Sequence, residues 1–256
     1  PRRPFATQAQ NSFDYPLSSR FDESDSYVIF DNVFVPWENV FIYRNLEITR
    51  DQWWKTPSHL YGNHQAQVRY ATKLRFMIGL AKRMNEMTGN EANPAVQIMM
   101  GELAALVSIV ETMLLAHETM APIENGVLWP ARTALYSAMA LQSELNGRML
   151  EIIRELSGAA MITLPSSLRD FESAETAGDV ERYMRSASAD AKSRVALMRL
   201  AWDLIGSEFG SRHQQYEKFY GGASFLVKQN VYRNFDFKRA GALVDAALKL
   251  PPLDED

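Results

Sequence analysis

Between Ser18 and Tyr43 the sequence SSRFDESDSYVIFDNVFVPWENVFIY alternates as β-structure does, and nearly everything after it carries helical spacing. Tyr27-Val28-Ile29-Phe30 and Val33-Phe34-Val35 are β-branched and aromatic runs split by the turn signal Asp31-Asn32. Pro36 halts the second run, and Val40 to Tyr43 can resume extended structure. So small a piece of sheet cannot stand alone, because strands need partners and a face to bury. Together with a first residue that is Pro1, not methionine, this predicts the end of a β domain over residues 1–50, cut inside that domain, and a helical domain over 51–256. Ser18, Ser19, Arg20, Asp22, Glu23 and Asp25 read as a capping and salt-bridge network between the two.

The helical reading rests on apolar positions three and four apart. Leu60, Val68, Ala71, Leu74, Met77, Leu80 and Met84 predict a helix over 59–88, closed by Gly89-Asn90. A second follows from Pro94 to Met120, with Pro122 and Gly126 breaking it. A third runs from about Pro130 to Leu156 and stops at Ser157-Gly158, and a fourth from Asp190 to Ile205 meets Gly206. Shorter helices are expected over 179–186, 225–232 and 237–248, with 44–57 mixed, 159–178 a connection and the tail PPLDED frayed. Four long amphipathic helices predict a mainly α chain built on an antiparallel four-helix bundle, with methionines filling its core.

Absent chemistry narrows the function. With no cysteine, the chain has no disulfide, thiolate nucleophile or cysteine-held cluster, which fits a reducing cytoplasm. Four histidines in no metal-binding spacing leave no metal site expected. A net charge of −4 gives no basic face for nucleic acid. No apolar run long enough for a membrane span is expected, and the arginines of PRRPFATQ lack the apolar stretch of a signal peptide.

Polar interruptions of the apolar pattern mark the candidate sites. In Gly206-Ser207-Glu208-Phe209-Gly210-Ser211-Arg212-His213, glycines beside a helix end let backbone amides approach an anion, and Arg212 can add charge. Phe209 and Tyr216 can flank a planar ring. The same residues also read as a helix stop and tight turn, with Glu208 and Arg212 paired four apart. In Ser58-His59-Leu60-Tyr61-Gly62-Asn63-His64-Gln65, an imidazole at a helix start can serve as a general base, or simply belong to a polar cap. His117, beside Glu118, reads as a surface or interface residue. Ser157-Gly158-Ala159-Ala160 is a helix stop that can also bring backbone against phosphate or ribose.

At PLSSRFDE, FDNVFVPWENVF, HQAQVRYATKLRF, TLPSSLRD and WDLIGSEFGSRHQQYEKFYGG the sequence resembles the oxygenase component of the 4-hydroxyphenylacetate 3-hydroxylase family. These are two-component flavin monooxygenases that include phenol and chlorophenol hydroxylases. The resemblance implies an acyl-CoA dehydrogenase-like fold whose middle β domain is represented here by a strand remnant and whose C-terminal bundle forms homotetramers. It implies that this chain corresponds to the second half of such an enzyme, with the phenol-contacting N-terminal half elsewhere. It implies reduced FAD delivered by a separate NAD(P)H:flavin reductase, molecular oxygen, a C4a-hydroperoxyflavin and hydroxylation of a phenol. By the same resemblance His59 is the base, with His64 second. Gly206, Ser207, Glu208, Phe209, Gly210 and Arg212 contact FAD, joined by Ser157 and Gly158. A related dehydratase acting on 4-hydroxybutyryl-CoA is disfavoured because it needs a cysteine-held cluster. A non-catalytic oligomerisation or FAD-contacting module, or another flavoenzyme of the acyl-CoA dehydrogenase fold, stands as the alternative.

Overall fold

Helical spacing becomes helix with few changes of boundary. The computed structural model describes residues 9, 11–23 and 25–249; the start PRRPFATQ and the tail PPLDED lie outside them. Helices are α1 (Ser18–Phe21), α2 (Leu46–Trp54), α3 (Ser58–Thr88), α4 (Pro94–Thr119), α5 (Arg132–Ser157), α6 (Ala177–Tyr183), α7 (Ala191–Ile205), α8 (Glu208–Phe219), α9 (Ser224–Asn234) and α10 (Phe237–Leu248). Strands β1 (Ile123–Glu124) and β2 (Val127–Leu128) form a hairpin between α4 and α5. Its Asn125-Gly126 tip carries φ of 52° and 77°, the left-handed pair that a tight hairpin turn requires.

The long helices pack on one another through an apolar core. Leu74, Met77 and Met84 of α3, Leu103 and Val110 of α4, Met149 and Ile153 of α5, and Met198 and Ile205 of α7 are all buried in it. The buried methionines fill gaps between helices, as expected. After a break at Gly206-Ser207, α8 follows α7 and brings Glu217 to Arg69 of α3 and Gln142 of α5. A smaller cluster of Leu60, Trp129, Leu135 and Tyr136 packs where α3 and α5 begin.

Residues 22–36 depart from the expectation of strands. Among the described residues, none of that stretch lies in a strand, and the strand remnant is not formed. Tyr27 is 99% exposed and Phe34 85%, so the alternating side chains cover nothing. The physical reason is that alternation prepares a strand, but only a neighbouring strand supplies its ladder. The expected turn is present, with Asn32 at a φ of 52°. The chain on either side is anchored. Leu17 and Ser18 amides each donate to Asp203 Oδ2 at 2.8 Å, and Arg212 pairs with Asp22.

A second departure concerns α4. It is long and apolar enough to cross a membrane by length and composition, which the sequence reading did not expect. Only 17% of its most apolar stretch is buried, and Ile98, Ile109 and Leu115 face outward. Glu102 and Glu111 interrupt the apolar surface, each paired with an arginine of a neighbouring helix.

Candidate functional site

Around His59, α2, α3, α5 and α9 converge on a cavity of about 550 Å³. Asn45 caps α2 through Ile48 N at 3.0 Å, and this short helix carries Trp53 and Trp54 to the His59 ring, with centroids 6.1 and 4.8 Å away. From α5 comes Tyr136, whose Oη lies 2.9 Å from His59 Nε2. The turn Tyr220-Gly221-Gly222 and the α9 residues Asn230 and Arg233 complete the wall. A volume in this range with aromatic walls and a few polar groups suits a small planar molecule.

His59 and Tyr136 are both 3% exposed. Burial lowers the His59 pKa, opposed by the Trp53 and Thr56 carbonyls and assisted by the Arg132 cation. Burial also raises the Tyr136 hydroxyl, with Arg132 acting the other way. Both groups are therefore neutral near pH 7. Arg132 is itself held by Glu124 through two hydrogen bonds of 2.6 and 3.0 Å.

The second-choice histidine lies elsewhere. Five residues along a helix turn a side chain through about 140°, and His64 meets Glu118 at 3.5 Å and the edge of His117 at a centroid distance of 5.0 Å. His117 is fully buried, not on the surface, and neither ring nitrogen has a hydrogen-bond partner among the described residues. Burial, reinforced by His64, lowers its pKa to about 4.

The residues expected to contact flavin gather at the other end of the helices. Ser157 ends α5 and donates to the Arg154 carbonyl at 2.8 Å, and Gly158 follows at a φ of 51°. Arg154 Nη2 reaches the Ile205 carbonyl at 3.2 Å, which joins this helix end to Gly206. The segment Ser207 to Arg212 is the start of α8 and not an open glycine loop. Ser207 caps Gly210 N at 3.0 Å, Glu208 opens the first turn, and Phe209 is buried against His213 with centroids 4.3 Å apart. Gly210 is glycine because a Cβ there would lie 2.6 Å from the Leu204 carbonyl oxygen. Tyr216 packs on Tyr220 and under Arg69, so it does not pair with Phe209 around a ring.

Tyr136 and Ser157 stand on one helix, about 30 Å of rise apart. The candidate base and the Ser157 side of the candidate flavin contacts thus occupy opposite ends of α5 within a single chain. Sequence reasoning missed Tyr136, Trp53, Trp54 and Arg233, whose shared position depends on tertiary packing. It also missed the cluster in the middle, where buried Glu217 and Gln142 meet the half-buried Arg69 and Lys73.

Comparison with known proteins gives this arrangement a context. Residues 49–249 match the family model described as 4-hydroxyphenylacetate 3-hydroxylase C terminal, and residues 1–42 match the corresponding N-terminal model. The 4-hydroxyphenylacetate 3-monooxygenase oxygenase component of Thermus thermophilus is 36% identical over 244 residues, which are 93% of this chain and 50% of that protein. A crystal structure of such an oxygenase component, complexed with FAD and 4-hydroxyphenylacetate, superposes with a TM-score of 0.87 at 34% identity, covering 93% of this chain and 50% of that one. An oxygen-tolerant archaeal 4-hydroxybutyryl-CoA dehydratase from N. maritimus shares the fold, with a TM-score of 0.80 at 16% identity over 89% of this chain and 45% of its own. The chain spans about half the length of the curated relatives it matches. On the matched family model and these likenesses, the chain belongs to the 4-hydroxyphenylacetate 3-hydroxylase family.

Proposed function

We propose that this chain supplies the helical part of the oxygenase component of a reduced-FAD-dependent, two-component monooxygenase that hydroxylates a phenolic compound. The observation that carries the reading is the neutral, buried His59–Tyr136 pair beside an aromatic-walled cavity. A phenol becomes reactive at its ring carbons as its hydroxyl proton leaves, and a neutral imidazole shielded from water can accept that proton. His59 is proposed as the base, and the Trp53, Trp54 and Tyr136 rings as the walls that hold the phenol.

Ser157, Gly158, Gly206, Ser207, Glu208, Phe209, Gly210 and Arg212 are proposed to contact FAD. The fit is to its anionic part at the start of α8, where the positive end of the helix lies beside Arg212, with Ser207 already capping Gly210 N and Asp22 sharing the Arg212 charge. Bound reduced FAD would supply the oxygen-activating chemistry that the family resemblance implies. A separate NAD(P)H:flavin reductase is its proposed source, and molecular oxygen the co-substrate.

The remaining parts of the reading concern architecture. α3, α4, α5 and the α7–α8 pair are read as the four-helix bundle of an acyl-CoA dehydrogenase-like fold, and residues 1–50 as the end of a β domain. A homotetramer is proposed, supported by the outward apolar face of α4. A cytoplasmic setting is proposed on the lack of cysteine.

The test is rapid-mixing kinetics on the full-length protein with reduced FAD, oxygen and 4-hydroxyphenylacetate. His59→Ala is expected to slow ring hydroxylation about 100-fold, the size of a lost acid–base group, while the earlier reaction of flavin with oxygen keeps its rate. An unaltered hydroxylation step would remove His59 from the role.

A further inference from the structure

His59 offers no open nitrogen to a ligand. Nε2 is engaged by Tyr136 Oη at 2.9 Å. Nδ1 is buried on the side of the ring where the Trp53 and Thr56 carbonyls act, and no hydrogen bond of full geometry reaches it among the described residues. A base with its accessible lone pair already occupied must exchange protons through the group that occupies it.

We infer that Tyr136 is the proton-transfer partner of His59, standing between that imidazole and a phenolic substrate in the cavity. The inference rests on the proposal that His59 is the base. In the step, the substrate O–H bond breaks as an O–H bond forms at Tyr136 Oη, and the original Tyr136 proton moves to His59 Nε2. The products are a phenolate, a neutral tyrosine and an imidazolium, with no electron gained or lost by any partner.

The surroundings suit a relay. Tyr136 is fixed by Leu60, Trp129 and Leu135 at the base of the cavity, so its hydroxyl stays aimed at His59. Its ring lies nearly parallel to the imidazole, at an interplanar angle of 19°. Burial disfavours a resting tyrosinate as well as a resting imidazolium, so Tyr136 passes a proton and does not store a charge. The charged groups facing the pair are Arg132 of α5, held by Glu124, and Arg233 of α9; α2 contributes only the neutral Trp53 and Trp54. Either arginine can favour the phenolate that the step leaves behind.

One requirement is testable without the cofactor. Nitrogen-15 NMR of His59 in the cofactor-free full-length protein is expected to find the Nδ1–H tautomer, with Nε2 as an acceptor whose shift changes in Tyr136→Phe. The Nε2–H tautomer donating to Tyr136 would overturn the relay, because Nε2 would then have no lone pair to receive a proton. In kinetics, Tyr136→Phe is expected to slow hydroxylation about 10- to 100-fold. The double variant with His59→Ala should be no slower than the slower single one, as for groups acting in one step. Mixed H₂O/D₂O solvent should give a curved rate dependence in the unaltered protein, from two protons in flight, and a straight one in Tyr136→Phe. If His59→Ala is slow but Tyr136→Phe keeps full rate and curvature, the relay fails and His59 stands as the base. If His59→Ala itself keeps full rate, the underlying reading fails. Should Tyr136→Phe not fold, 3-fluorotyrosine at 136 preserves the ring, and a rate unmoved by its more acidic hydroxyl would equally overturn the relay.

Discussion

Glu217 presents the sharpest energetic problem at the scale of single residues, because its carboxylate side chain is fully covered. Burial alone would raise its pKa, but hydrogen bonding by Arg69 and the Lys73 and Arg69 charges bring it below the ordinary 4.5. Arg69 Nη2 donates at 3.0 Å, Lys73 Nζ at 3.2 Å and Gln142 Nε2 at 2.9 Å. Gln67 in turn donates to Gln142 at 2.7 Å, and the Arg69 guanidinium lies 4.7 Å above the Tyr216 ring. Removing one partner of such a cluster strands the others without their counter-charge. Glu217→Ala is therefore expected to cost about 3–5 kcal/mol, read as a drop in the denaturant midpoint. Because the folded pKa is depressed, this carboxylate's stabilisation is full above about pH 4.5 and is lost as pH falls through the lower folded value. Glu217→Gln should lack that part of the acid dependence, which a pH series of denaturation curves would reveal.

Among the elements, the α7–α8 junction shows how a motif can be visible while the helix it opens is not. Glycine there serves close helix packing, so Gly210→Ala is expected to cost about 1–3 kcal/mol by overpacking against the Leu204 carbonyl, measured by thermal or chemical unfolding. A stability equal to the unaltered protein would mean the backbone can give way at this point. The sequence did hold the clue, since Ser207 followed by Glu208 is a helix-start signal, but the neighbouring glycines read more strongly as a turn. Long helices were legible because apolar spacing repeats over several turns, as in α3 with Leu74, Met77 and Met84. α2 was not, since it has nine residues and buries none of them, leaving only the Asn45 cap as a signal. Tyr27 to Val35 read as strands from local alternation, but pairing depends on residues far away in the chain. His59 was legible as a polar interruption. Its cavity was not, because Trp54, Tyr136, Gly221 and Arg233 come from separate elements that only packing brings together.

For the whole molecule, the outward side of α4 makes a prediction about assembly. Ile98 and Ile109 are 72% and 43% exposed and, eleven residues apart, lie on nearly the same helix face. A single chain gains little by keeping them apolar, so the proposed tetramer offers them a partner. Ile98→Glu with Ile109→Glu is expected to lower the assembly mass in sedimentation or light scattering while the helical circular dichroism signal persists. A mass that does not change would place α4 outside the subunit contacts.

The tie between Leu17-Ser18 and Asp203 also has a meaning in time. These partners are 185 to 186 residues apart in the chain, so on a ribosome the two amides emerge long before their acceptor exists. Helices α3 to α5 can collapse together as soon as they are made, while residues 11–22 dock in stages: Leu168 N reaches Asp14 at 3.0 Å and Phe171 meets Phe13 before α7 supplies Asp203. Arg212 repeats the delay for Asp22 one helix later. Translation must pass Arg212 before this set of contacts is complete, which makes the docking of residues 17–22 a late seal on the helices and leaves a nascent chain that stops short of α7 without the Asp203 tie.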